Sequence, residues 1–205
     1  MEGWPSGLRQ RFAKPWLRKG PRGFESHPFR MGLEHIPQER IYRGFELEQA
    51  CLGHKIDWEK IFAKNKVSPE TLGYEQCEKI IRELYPDDPT MPKKKWGKDL
   101  YNFVADKLRL DMENPEGLYF YSSLGSPLDK MGVDCFFVYT NPQTKKEATF
   151  TIDLTANPKK DEYRADLVMG EMPDHRANPD EYSLELEKIA DQIAENLKTK
   201  TAPIH

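Results

Sequence analysis

Several common kinds of chemistry are missing from these 205 residues. Three cysteines, Cys51, Cys77 and Cys135, are scattered and odd in number, with no CxxC pair, which excludes a disulfide framework and a thiolate zinc site. That cysteine usage fits a reducing cytoplasm. The five histidines are equally dispersed, so none forms the short-spaced pair of a helix-borne metal site. There is no glycine-rich phosphate loop and no nucleophilic Ser or Cys motif. No apolar run is long enough to cross a bilayer, so no membrane partner is expected. What remains plentiful is charge, 32% of the residues, so any chemistry must come from carboxylates and lysines.

Residues 1–30 differ from the rest. Trp, Pro, Gly and Arg are dense there, with no helix or strand period, no apolar core of a secretory signal, and prolines that would break a transit-peptide helix. Gly23-Phe24-Glu25-Ser26-His27-Pro28 can be written GGG TTC GAA TCC CAC CCC, containing the TTCGAAT loop of a transfer RNA gene. Trp4-Pro5-Ser6-Gly7 allows a D-arm. Codons for Met1 to Gly3 can pair with those for Pro28 to Arg30 as an acceptor stem, and GCT at Ala13 falls where a serine anticodon would lie. The segment therefore resembles a translated serine transfer RNA gene, which implies a natural start at Met31 and a spurious, disordered extension before it. Seven of the 31 Lys+Arg and two of the 34 Asp+Glu lie in this segment, so without it the net charge falls from −3 to −8. Overall charge then gives no general attraction to nucleic acid, and any such contact must use local basic patches.

From residue 31 onward the pattern predicts an α+β fold. Residues 31–90 read as a helical region, with helices over about 39–51 and 56–64 and a third starting at Ser68-Pro69-Glu70 and running toward Leu84. A turn over 86–92 separates it from an α+β domain spanning 91–205. Trp96, Leu100, Phe103, Val104 and Leu108 make an amphipathic helix of 93–110. Aromatic and β-branched runs predict strands at 118–121, 133–140 and 148–155, the last two joined as a hairpin by Asn141 to Lys146. A short fourth strand is expected over 165–169 and a final helix over about 179–197, flanking a small mixed or antiparallel sheet.

Two acids stand out in that sheet. Asp134 begins one strand and Asp153 lies inside its hairpin partner, where alternation places Thr151, Asp153 and Thr155 on one face and Ile152 and Leu154 on the other. If that polar face lines a cleft partly open to water, the two carboxylates suit Mg²⁺ or Mn²⁺, which takes oxygen ligands and draws the rest from water and phosphate. Strand acids that simply face water are the competing explanation. Asp129 reads as a turn residue ahead of Gly132 or a third carboxylate, and Glu113 and Glu116 as surface acids.

Gly132-Val133-Asp134 and Ile152-Asp153-Leu154-Thr155 resemble the two motifs of the PD-(D/E)XK nuclease superfamily, over roughly residues 93–169. The resemblance implies a helix followed by a mixed sheet, a metal held by Asp134 and Asp153, and a metal-dependent phosphodiesterase of DNA or RNA. Two departures matter: Thr155 stands where the superfamily has its catalytic lysine, and no long helix fits between the third strand and Ala165. Lys159 and Lys160, just past the strand, are the candidates for a displaced catalytic cation, as are Lys94, Lys95 and Lys98 on the preceding helix. Lys94, Lys95, Lys145 and Lys146 are candidates for holding substrate phosphates. The alternative is a noncatalytic nuclease-like module that binds nucleic acid or protein, with a purely structural α+β domain as a third reading.

A chain beginning at Met31 is expected to melt at the same temperature as the full chain and to keep whatever binding or activity it has. A clear drop in melting temperature, or genomic codons unable to pair as a cloverleaf, refutes the transfer RNA reading of residues 1–30.

Overall fold

The computed structural model describes residues 44–111, 116–155 and 164–203, and the account below concerns these. The described residues all belong to one compact unit. Its element order is α1 (Gly44–Cys51), α2 (Trp58–Asn65), a 3-10 turn (Pro69–Thr71), α3 (Tyr74–Leu84), α4 (Lys95–Lys107), β1 (Leu118–Ser122), α5 (Pro127–Lys130), β2 (Cys135–Thr140), β3 (Glu147–Leu154), β4 (Leu167–Met169) and α6 (Pro179–Thr201). The fold is mixed α+β, with a four-stranded mixed sheet in the order β1-β2-β3-β4.

Strands β1, β2 and β3 run antiparallel, while β4 joins β3 in parallel through the rungs Ile152–Leu167 to Leu154–Met169. The hairpin between β2 and β3 turns on Asn141. Its side-chain oxygen accepts the N–H groups of Gln143 (2.9 Å) and Thr144 (3.1 Å), and Lys145 takes the left-handed conformation that closes the turn.

Strand alternation sorts side chains onto two covered faces. Phe137, Tyr139, Phe150, Ile152 and Leu154 point into one core with Leu100 and Val104 of α4, Leu186, Ile189 and Ile193 of α6, and Leu47 and Cys51 of α1. Phe136, Val138 and Tyr121 point the other way, against Trp58 and Phe62 of α2 and Cys77 and Ile81 of α3. Both faces are therefore apolar along the middle of the sheet, which explains why β2 reads as the unbroken run Cys135 to Tyr139.

The expected single helix from Ser68 to Leu84 is instead a 3-10 turn followed by α3. Leu72 and Gly73 are extended, and Gly73 caps α3 while its N–H donates to the Gln76 side chain at 3.0 Å. A second start signal inside the segment overrode the first. Around the expected turn residue Asp129, between β1 and β2, the chain also makes the single turn of α5. Ser126 caps it, its hydroxyl accepting the N–H groups of Leu128 and Asp129, with Pro127 in the first turn.

Sheet margins are satisfied by neighbouring segments. On β1, the N–H of Phe120 donates to Pro89 O (2.8 Å) and that of Ser122 to the Tyr85 hydroxyl (3.1 Å). On β3, before β4 begins, the N–H of Thr151 donates to Asp166 (2.9 Å), and Lys200 donates to Thr149 O (3.0 Å) and to Asp166 (3.1 Å). No helix among the described residues is long and apolar enough to cross a membrane.

Phe137 is fully buried at the centre of the larger core, its ring 4.9 Å from that of Phe120 and 6.5 Å from that of Tyr101. Phe137→Ala should therefore cost about 3–5 kcal/mol, read as a lowered urea midpoint with an unchanged slope. A loss below about 1 kcal/mol would show that this layer is not the centre of the fold.

Candidate functional site

The start of β2 departs from regular pairing. Gly132 turns the chain with φ +84°, a conformation that favours glycine, and a Cβ there would lie 3.9 Å from the Asp153 carboxylate. Cys135 pairs with Ile152, yet the N–H of Asp134 also donates to Ile152 O, at 2.9 Å. Asp134, just ahead of β2, and Cys135 thus both meet Ile152, an arrangement like that of a β-bulge. The side chains agree: Val133 shares a core with Phe136 and Val138, whereas strict alternation would have grouped it with Cys135 and Phe137.

The bulge re-aims Asp134. Its Oδ2 accepts the N–H of Leu154 at 2.6 Å, so a side chain replaces the backbone acceptor at the end of the β2–β3 ladder. The backbone of Asp134 is held as well, its carbonyl accepting the N–H of Ser123 at 2.9 Å. On β3 the expected alternation holds, with Ala148, Phe150, Ile152 and Leu154 all in the larger core. Asp153 lies on the opposite side of the strand, in the register of Thr151 and Thr155, and no hydrogen bond or ion pair holds its carboxylate among the described residues.

The expectation of a site partly open to water is corrected. Asp134 is 3% exposed and Asp153 6%. On the Ile152 and Leu154 side, α1 packs Leu47 and Cys51 into the same core and brings the Glu48 charge to act on Asp134. Burial pushes the Asp134 carboxyl up to about 8, and the negative charges of Glu48, Asp153 and Asp129 push in the same direction, while the Leu154 N–H pulls against them. The three charges that act most on Asp134, those of Glu48, Asp153 and Asp129, are all acids. Asp129 serves the turn expected of it: its Oδ2 accepts the N–H of Gly125 at 2.7 Å and lies 3.8 Å from the Lys55 ammonium.

The lysines do not converge here. Lys145 and Lys146 sit in the hairpin turn at the far end of β2, which at six residues places them about 20 Å from Asp134; the Lys146 ammonium donates to Ala202 O at 2.7 Å. Lys95 is held by Asp99 at 2.8 Å. Lys94 is the N-cap of α4, and Lys98 is exposed in its first turns. Lys159, Lys160 and Glu113 lie outside the described residues. Glu116 is exposed ahead of β1. Thr155 is 8% exposed, with its N–H donating to Met169 O at 2.8 Å.

The donors available to a metal are hard carboxylate oxygens from Asp134 and Asp153, with Glu48 nearby, a chemistry that suits Mg²⁺ or Mn²⁺. Among the described residues no three or more His, Cys, Asp or Glu side chains form a set that could hold an ion by themselves, so water or phosphate would have to complete its shell. Glu48 escaped sequence reasoning because nothing in Gly44-Phe45-Glu46-Leu47-Glu48 distinguishes it from a solvated helix acid. Comparison of the chain with protein-family models, with curated proteins and with solved structures gives no match in any of the three.

The raised Asp134 carboxyl sets a pH dependence. In the folded chain it keeps its proton up to about 8, while in the unfolded chain it ionises near 3.8. Between those values the folded state binds the extra proton, so this contribution to stability is complete at the acid end and is lost as pH rises toward 8, by at most about 1.4 kcal/mol per pH unit. Asp134→Asn can still accept the Leu154 N–H and should flatten that slope in urea titrations run from pH 5 to 8. An unchanged slope would show that Asp134 is ionised in the folded protein.

Proposed function

We propose that the chain is a Mg²⁺- or Mn²⁺-dependent phosphodiesterase of PD-(D/E)XK type acting on nucleic acid, with Asp134 and Asp153 as metal ligands and Glu48 as a third acid at the same end of the sheet. The observation that carries this reading is the negative charge that α1, α5 and β3 bring to bear on Asp134, from Glu48, Asp129 and Asp153. Like charges kept this close inside a fold are unfavourable, and a divalent cation relieves them. When bound, such an ion would activate water and neutralise charge at a scissile phosphate.

The protein's own groups then have distinct tasks. Asp134 keeps a proton at neutral pH in the ion-free chain and must release it before both its oxygens carry charge, so ion binding is linked to proton release. The Leu154 N–H holds one Asp134 oxygen in place. Gly132, whose φ of +84° favours glycine, sets the turn that brings the chain against the Asp153 carboxylate.

A second reading, a noncatalytic nuclease-like module, is favoured by Thr155, a buried hydroxyl at the position where the superfamily has its lysine. Calorimetry and cleavage assays separate the two. Mg²⁺ or Mn²⁺ should bind at one site, more tightly at pH 9 than at pH 6, and Asp153→Asn should abolish binding while the thermal transition persists. Labelled single-stranded, double-stranded or branched DNA, or RNA, should be cut only with the metal, and Asp153→Asn should lower the rate by at least about a hundredfold. Metal binding without cleavage, with cleavage appearing in Thr155→Lys, would establish the noncatalytic reading. No site-specific metal binding at either pH refutes the proposal.

A further inference from the structure

A cavity of about 240 Å³ is bounded by the α1–α2 connection, the segment before α4, and β1. Leu52, Ile56, Pro92 and Phe120 give it apolar walls. Most of its charged groups are already engaged: Lys93 pairs with Asp87 at 2.6 Å, and Asp88 accepts from the N–H and hydroxyl of Thr90 at 2.8 and 2.7 Å.

Besides the exposed His54 imidazole, two polar features of the lining bear on what the cavity would take. The stem of Lys94 lies across Gly53, where φ is +99° and a Cβ would come within 3.0 Å of the lysine Cε, so only glycine leaves that path open. The Lys94 ammonium has no acceptor among the described residues, and it stands at the N-terminus of α4, whose first turn carries neither a side-chain cap nor an acid. Helix pole and ammonium together favour an anion. Inside the cavity, Ser122 is 7% exposed. Its oxygen receives a long contact from the Leu124 N–H at 3.5 Å, and its proton has no acceptor among the described residues. A buried hydroxyl with an unspent donor, facing a space large enough for an aromatic ring, calls for a ligand oxygen or nitrogen.

Through β1 the cavity neighbours the start of β2, where Asp134 lies, while Asp153 is one strand further and on the opposite face. Ser122 pairs with Cys135, the residue after Asp134, and Cys51, which lines the cavity, is one turn along α1 from Glu48. We propose that the cavity seats one nucleotide unit of a nucleic-acid chain, its base between Phe120 and Ile56 with the Ser122 hydroxyl donating to it, and its phosphate at Lys94 and the N-terminus of α4. This rests on the phosphodiesterase reading for its link to the acids, but the binding itself needs no metal.

The test is calorimetric titration of the full chain, in chelator, with each deoxyribonucleoside and ribonucleoside 5′-monophosphate, and separately with inorganic phosphate. At least one nucleotide should bind at a single site, at least about tenfold more tightly than phosphate. Lys94→Glu should weaken it at least about tenfold, Lys94→Arg should retain it, and Lys79→Glu, a charge change on the exposed face of α3, should leave it unaltered. Ser122→Ala should shift the preference among bases more than the affinity for phosphate. No binding by any nucleotide, phosphate binding as tightly as nucleotide, or equal loss in Lys94→Glu and Lys79→Glu would overturn the inference. Nucleotide binding in a chain that cuts nothing under any metal leaves the cavity assigned and removes the catalytic reading. Metal-dependent cleavage with an unchanged KM in Lys94→Glu does the reverse.

Discussion

The hydrogen bond from the Leu154 N–H to the Asp134 carboxylate is where the geometry of this molecule is decided. It ends the β2–β3 ladder with a side chain in place of a carbonyl, and it exists because Asp134, just ahead of β2, meets Ile152 together with Cys135. A carboxylate that must reach sideways to a neighbouring strand cannot also turn outward to solvent. The acid is therefore drawn into the sheet, α1 closes over the same end, and Glu48 arrives as an unfavourable neighbour. Burial and repulsion both work against ionisation there, and the single N–H bond works for it. The outcome is an acid group neutral at the pH where most carboxyls are charged.

That local cost is carried by the rest of the sheet. The two apolar layers meet on β2, whose residues Cys135 to Val138 are completely buried, and the surrounding packing of α4 and α6 on one face and α2 and α3 on the other overdetermines the strand. A bulge with a buried acid at its edge survives because a few rungs further along nothing is free to move.

Much of this order was legible in the sequence. The stripe from Trp96 to Leu108, the aromatic strands, the hairpin at Asn141 and the facing of Asp153 follow from periods of 3.6 and 2 and from turn chemistry. The break at Gly73 was not, because Ser68-Pro69-Glu70 is an equally good start signal and only the chain beyond it decides between them. The bulge was not, because alternation is read by counting and a bulge is an error in the count. Glu48 was not, since its significance comes entirely from how α1 is laid over a strand end about a hundred residues later in the chain. Lys145 and Lys146 belong to the turn at the other end of the hairpin from Asp153, a placement that follows from the hairpin itself.

The margins of the sheet bear on how the protein behaves at high concentration. Strand edges ordinarily offer a row of amides to a second chain. Here the Phe120 and Ser122 amides are spent on Pro89 and Tyr85, and the Thr151 amide on Asp166, with Lys200 reaching the neighbouring carbonyl. Edge amides would normally trade their hydrogens with solvent within the first moments of exposure to heavy water. These three should instead exchange on the slow timescale of the core, and an incoming strand would find ammonium, carboxylate and phenol in the places where it needs backbone.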